Sequence, residues 1–296
     1  MFPPFPVSEI QFESPDAFEQ LGSKPKFWFR DMDNIRWLFK YARENTGEHW
    51  AEKVAEQIGS LLDIPVAEIE LATCSDRRGT MSRSFADPSR GAVLIHGNEL
   101  MAGVLEAYDL TKTYGQDQHN ITNIVRTIRS RFPVRADGEA QLARFASYLV
   151  LDALIGNTDR HHENWGMLIT KRAGGMIREL APSYDHASSL GRELTDDARY
   201  QRLENGTIEQ YILGKKAKGG IYWLDPKKAP PPLDLVKRAF SKESSPFKPI
   251  LQRLREVEMR QIEEVVQRVP DAWISDTARQ FSLELIRISR SHLLAL

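Results

Sequence analysis

Cysteine is almost missing from this chain of 296 residues: Cys74 is the only one. A single thiol excludes an internal disulfide framework and suits a reducing compartment. A free cysteine more often serves as a small buried hydrophobe than as a nucleophile, so Cys74 is read as structural. An excess of one charge is missing too. Lysine and arginine total 40 against 41 aspartates and glutamates, a net charge of −1. No electrostatic footprint for nucleic acid or an anionic membrane results, and no direct nucleic-acid binding is expected. Long apolar runs are also lacking. No segment reaches the roughly 20 residues that cross a bilayer, so no membrane insertion is expected. Met1-Phe2-Pro3-Pro4-Phe5-Pro6 has neither the basic stretch nor the apolar run of a signal peptide. The expected location is cytoplasmic, with a secreted effector as the alternative. There are no internal repeats, no Walker P-loop, no GxGxxG and no HExxH helix.

What is present is ordinary globular composition, 41% hydrophobic and 27% charged, at a length that suits a bilobed unit or two domains. The stretch Ile35–Tyr41 alternates as a strand, with Ile35, Trp37, Phe39 and Tyr41 on one face and Arg36, Leu38 and Lys40 on the other. Glu48–Leu62 carries Trp50, Val54, Ala55, Ile58, Leu61 and Leu62 at helical spacing. Short strands are expected at Ile69–Ala72 and Ala92–Ile95, with turns between them around Gly79 and Asp87-Pro88. From about Met101 the pattern becomes helical: Asn120–Arg131, Gly138–Ile155, and a last helix capped by Ser275. A hairpin around Gly174-Gly175 interrupts them. The expected class is α+β, a small mixed lobe over 1–100 and a larger helical lobe over 101–296.

The segment Gly156-Asn157-Thr158-Asp159-Arg160-His161-His162-Glu163-Asn164 follows the apolar helix as a polar loop, and Asp185 comes later in Pro182-Ser183-Tyr184-Asp185. Phosphoryl transfer needs these groups: a carboxylate to orient or deprotonate the attacking hydroxyl, then a neutral oxygen and a second carboxylate for magnesium. Asp159 is therefore the candidate base, and Asn164 and Asp185 are the candidate metal ligands. The same chemistry asks for a cation on the nucleotide phosphates. Lys40 supplies it, with Leu38 on the same strand face for the base and Glu48 or, second, Glu52 to hold the lysine. Gly22, Ser23, Lys24 and Lys26 lie ahead of that strand, where backbone amides and lysines can cradle phosphate.

Together these segments resemble the HipA-like serine/threonine kinases, over roughly Leu21 to Leu190. In that family an xGNTDxHxxN segment and a later PxYD supply base and magnesium ligands, matched here by Gly156–Asn164 and Pro182–Asp185. The resemblance implies a bilobed kinase fold, ATP and Mg²⁺ as cofactors, and a protein substrate. It extends the nucleotide site to His161, which buttresses the loop, and to Tyr184, and places Asn98 and Glu99 at an interlobe hinge. It also implies autophosphorylation, for which Ser23 is the candidate. HipA toxins carry a further N-terminal subdomain, and the expectation here is a compact or split relative without it. The expected partners are therefore an antitoxin or a separate chain that carries the subdomain.

Other readings use the same residues. Asp159–Asn164 also resembles the DRHxxN loop of phosphoinositide kinases, although the one basic cluster, Lys215-Lys216-Ala217-Lys218, reads as a solvated loop. A small-molecule kinase or a non-catalytic kinase-shaped binding module are further alternatives. Zinc hydrolysis through His161, His162 and Glu163 is disfavoured because adjacent loop histidines diverge.

Overall fold

The computed structural model describes residues 3–11, 17–18, 25–214, 217–223 and 228–296. Its first part is a six-stranded sheet of β1 (Val7–Ile10), β2 (Ala17–Phe18), β3 (Lys26–Arg30), β4 (Arg36–Tyr41), β5 (Ile69–Cys74) and β6 (Arg77–Arg83), in spatial order β1-β5-β6-β4-β3-β2. β1 runs parallel to β5 and the other pairs are antiparallel. The alternation of β4 has its expected effect: Trp37 and Phe39 are buried in a small core with Phe27, Ala72, Cys74 and Met81, joined by Ile35 and Tyr41. Leu38 and Lys40 fall on the other face.

β6 replaces the turns expected between the two short strands. Its sequence, RRGTMSR, gives little strand signal, and its place is set by its neighbours, β4 on one side and β5 on the other. Gly79 permits the close approach: a Cβ there would lie 2.2 Å from the Lys40 carbonyl oxygen and 2.7 Å from the Phe39 ring.

Helix α1 (Glu48–Leu61) packs on β5 and β6, and its apolar stripe of Trp50, Val54 and Ile58 joins the main core. The chain leaves the six-stranded sheet after Arg83, crosses through a 3-10 turn at Pro88–Arg90, and enters β7 (Ala92–His96). β7 pairs with β8 (Gly166–Arg172), which pairs with β9 (Gly175–Leu180), a separate three-stranded sheet containing the expected hairpin. The helices are α2 (Gly97–Ala102), α3 (Ile121–Arg131), α4 (Arg135–Ile155), α5 (Asp196–Glu204), α6 (Ile208–Leu213), α7 (Pro232–Lys242), α8 (Lys248–Glu256), α9 (Met259–Gln267) and α10 (Asp276–Leu294). The long helices α4 and α10 pack on each other, and Leu151, Leu154, Phe281 and Leu285 are completely buried in the main core. Ser275 caps α10 through its Oγ, which accepts from Ala278 N at 3.1 Å, and Asn120 caps α3 in the same way. Among the described residues no helix is long and apolar enough to cross a membrane.

Candidate active site

α4 stops at Gly156, whose φ of 67° lies in the left-handed region that glycine enters without steric cost. The polar loop that follows is fixed from inside. Asn157 donates from Nδ2 to Asp152 Oδ1 (2.7 Å), and its Oδ1 accepts the Asp159 amide (3.1 Å). The Asp159 carbonyl then accepts the His161 amide (2.8 Å) and Asn164 Nδ2 (2.7 Å). The donor end of the Asn164 amide is thus committed to the loop, which leaves Oδ1 as its coordinating end.

Arg160 ties this loop to the second motif. Its guanidinium is buried and donates to both oxygens of Asp152 at 2.8 Å, to Asn164 O at 2.6 Å, to Ser183 Oγ at 2.9 Å and to Tyr184 O at 3.4 Å. Burial alone would lower its pKa, but the Asp152 carboxylate more than offsets this and holds Arg160 above its usual value. Ser183 Oγ accepts from Arg160 and also lies 2.7 Å from His186 Nε2. Burial keeps that histidine neutral, with a pKa well below the ordinary value. Sequence reasoning assigned no role to Arg160, Asp152, Ser183 or His186. A signal existed: Asp152 is a lone acid within the apolar run 149–155, and buried carboxylates need partners.

The PxYD acid reaches the first sheet. Asp185 sits at φ 60°, a left-handed conformation that aspartate tolerates better than most residues. Its Oδ1 lies 3.2 Å from Lys40 Nζ. On its other side Lys40 is 3.8 Å from Glu52 Oε1, and Glu52 Oε2 accepts from Thr80 Oγ1 at 2.9 Å. The preferred glutamate therefore changes. Glu48, favoured as the partner of Lys40, instead binds Arg43 at 3.1 Å and Arg192 at 2.6 Å. Glu52, one turn farther along α1, faces the lysine.

Lys26 pairs with Lys40 across β3 and β4, and Trp28 pairs with Leu38, so both lysines and Leu38 share one sheet face. Gly22, Ser23 and Lys24 lie outside the described residues.

The Asn98 and Glu99 hinge assignment is corrected. β7 belongs to the second sheet, and the Asn98 amide is taken by His162 O at 2.9 Å while Asn98 Nδ2 donates to Leu110 O. Glu99 turns back to accept the His96 amide at 2.9 Å. This segment braces the back of the 156–164 loop. The chain that leaves the first sheet is instead 84–91, and there Phe85 packs on Tyr184 with ring centroids 5.5 Å apart. Tyr184 is pinned in turn, donating its hydroxyl to Glu163 O at 2.7 Å beside His96 Nδ1.

The two loop histidines diverge. His162 is buried against Tyr108, whose hydroxyl is 2.8 Å from its Nδ1, whereas His161 meets Tyr114 edge to face at 6.0 Å. Among the described residues no cluster of three or more histidine, cysteine or acidic side chains is arranged to hold a metal ion. Tyr114 also reports on the acids. Its phenol pKa is raised first by the Asp159 carboxylate and then by burial, with Asp185 and Glu163 adding to the effect. The carboxylates from both motifs thus contribute to raising the Tyr114 pKa.

The family model for the HipA-like C-terminal domain matches residues 20–273. Among solved structures, the Helicobacter pylori proinflammatory kinase CtkA superposes with a TM-score of 0.77 at 19% identity, covering 98% of this chain and 96% of that one. A chain of the Shewanella oneidensis MR-1 complex of HipA, HipB and operator DNA matches with a TM-score of 0.57 at 12% identity, covering 95% of this chain and 65% of that one. No curated protein matches the sequence. At such identities the structural likeness establishes a kinase-like bilobed fold. With the family model spanning most of its length, the chain belongs to the HipA-like C-terminal domain family.

Proposed function

We propose that the protein is an ATP- and magnesium-dependent phosphotransferase acting on serine or threonine hydroxyls of a protein substrate. The observation that carries this reading is the position of Lys40, between Glu52 on α1 and Asp185 of the PxYD motif. A lysine on the six-stranded sheet held beside a carboxylate of the later motif can grip nucleotide phosphates and keep them over Asp185. Glu52 steadies the lysine from the α1 side at 3.8 Å.

Magnesium fits the donor set. The cation prefers hard oxygens and retains waters, so Asn164 Oδ1 and the Asp185 carboxylate suffice as its protein ligands. When bound it would offset charge on the phosphates. Asp159 orients the acceptor hydroxyl and takes its proton, on the side where Tyr114 and His161 stand. Asn157 and Asn164 hold its backbone, so the carboxylate needs little reorganisation to do so. Phe85, Tyr184 and Leu38 are the residues that would hold the adenine ring. In this reading the hinge is 84–91, which also moves the lobe boundary there from residue 100.

Autophosphorylation at Ser23 belongs to the same proposal, as does a protein partner. Support for a partner is that the matched HipA structure is a complex with HipB and DNA.

Transfer of labelled phosphate from ATP is the test. Asp159→Asn should reduce transfer by 100-fold or more, the scale of general-base loss, with ATP affinity retained. Asp185→Asn should weaken magnesium-dependent nucleotide binding as well, and asparagine tolerates the φ of 60° there. Unimpaired labelling by Asp159→Asn would overturn the assignment.

A further inference from the structure

The connection between α2 and α3, residues 103–120, runs for eighteen residues without a helix or strand. Connections of that length inside a folded unit are uncommon and usually carry function. This one is firmly anchored. Leu105, Tyr108, Gln116 and His119 are buried, and Tyr108 Oη lies 2.8 Å from His162 Nδ1 in the 156–164 loop. His119 donates from Nδ1 to Gly220 O at 2.8 Å and accepts Trp165 Nε1 at 3.1 Å. Between these anchors, Asp109 Oδ1 accepts from the amide and hydroxyl of Thr111, and Gln116 Nε2 donates to Asp109 O.

On this fixed frame two large apolar side chains stand in the open, Leu110 at 42% exposure and Tyr114 at 74%. Tyr114 meets His161 edge to face, two residues beyond Asp159. An aromatic side chain on a rigid loop beside the candidate base has no packing role at that exposure. Its electrostatic surroundings are acidic, since Asp159, Asp185 and Glu163 all raise its phenol pKa. Asp185 is paired with Lys40, whereas the half-exposed Glu163 carboxylate has only His161 Nδ1 nearby, at 3.8 Å. The neighbouring cations are accounted for: Arg43 is held by Glu48, and Lys112 lies along Gly115 and acts on Asp109. A negative potential over an open aromatic ring favours a cationic side chain and disfavours an acidic one.

We infer that the 103–120 loop is an acceptor-recognition element, in which Tyr114 and Glu163 select a substrate segment with an arginine next to its serine or threonine. The planar guanidinium stacks on the Tyr114 ring and faces the Glu163 carboxylate, which sets the neighbouring hydroxyl on the Asp159 side. Tyr114 is thus a positioning residue and takes no proton. The inference rests on the phosphotransfer reading and narrows its acceptor.

Fluorescence anisotropy of two labelled alanine-based peptides tests this on the full chain with ADP and Mg²⁺ present. One peptide flanks its central serine with arginine on both sides, the other with glutamate. The arginine peptide should bind about tenfold more tightly. Tyr114→Ala and Glu163→Gln should each cut that preference to about threefold, and Tyr114→Phe, which keeps the ring, should retain it. In phosphotransfer, Tyr114→Ala should raise KM for the arginine peptide about threefold or more, with kcat and ATP affinity changed by less than about twofold. Equal binding of the two peptides, a preference that neither Tyr114→Ala nor Glu163→Gln reduces, or a Tyr114→Ala effect on kcat alone would each overturn the inference. Arginine-selective, Tyr114-dependent binding without any transfer would uphold the recognition and count against phosphotransfer alone.

Discussion

Removing the Arg160 guanidinium tests how the two motifs are held together. The side chain is 3% exposed, as is that of Asp152, and it makes the contacts that join the 156–164 loop to Ser183 and Tyr184. Arg160→Met retains much of the volume but leaves Asp152 buried without its cation. Breaking such a pair from one side costs about 3–5 kcal/mol, because the remaining charge is uncompensated. Asn157 Nδ2 still donates to Asp152 at 2.7 Å, so the lower end, about 3 kcal/mol, is expected. A protein with about 5–15 kcal/mol of stability stays folded after that loss, and urea unfolding followed by circular dichroism measures it. Asp152→Leu combined with Arg160→Met removes both charges and should recover more than half of the loss, a double-mutant cycle with strong coupling. Arg160→Lys keeps the charge but cannot fork onto the carboxylate, and it should lower phosphotransfer at least tenfold. A loss below about 1 kcal/mol for Arg160→Met, or a double variant no more stable than the single one, would refute the reasoning.

Two further expectations follow from the geometry. Glu52→Gln should weaken ATP binding, because Glu52 faces Lys40, whereas Glu48→Gln should act mainly on stability, because Glu48 binds Arg43 and Arg192; isothermal titration and thermal unfolding of both variants separate the effects. Stability should also depend on pH through buried neutral histidines. Burial pushes the pKa of His119 down to about 3, and burial with Arg78 pushes that of His49 down to about 4, against 6.5 when unfolded. Because these pKa values fall on folding, the unfolded chain binds more protons on acidification. Their stabilisation is complete above about pH 6.5 and declines toward pH 4 and 3, with a slope approaching about 1.4 kcal/mol per pH unit for each histidine. Urea midpoints should fall between pH 7 and pH 5, and less steeply for His119→Gln; a flat profile would contradict this.

Much of the fold was legible because it rests on local pattern. The period of Glu48–Leu61, the alternation of Arg36–Tyr41, the helix ending at Arg131 and the cap Ser275 are properties of neighbouring residues, and they appear where the pattern puts them. β6 was not legible, since a strand of sequence RRGTMSR is stabilised by its position between β4 and β5 rather than by its composition. The Asn98–Glu99 assignment failed for a related reason. Which sheet β7 joins depends on β8, some 70 residues later, and that pairing turns the segment toward the back of the 156–164 loop.

By itself, then, the sequence determined the chemical inventory: a polar loop bearing Asp159 and Asn164, a second acid at Asp185, a lysine on an aromatic strand, and helices to carry them. Residue type and near-neighbour spacing suffice for that. Only the tertiary structure decided the partners. That Glu52 and not Glu48 faces Lys40 depends on how α1 is rotated against the sheet, because successive turns of a helix present different residues to a fixed neighbour. That Arg160 is the buried tie between two distant loops depends on where α4 delivers Asp152. Such contacts arise from packing over long sequence separations, which local propensity does not encode.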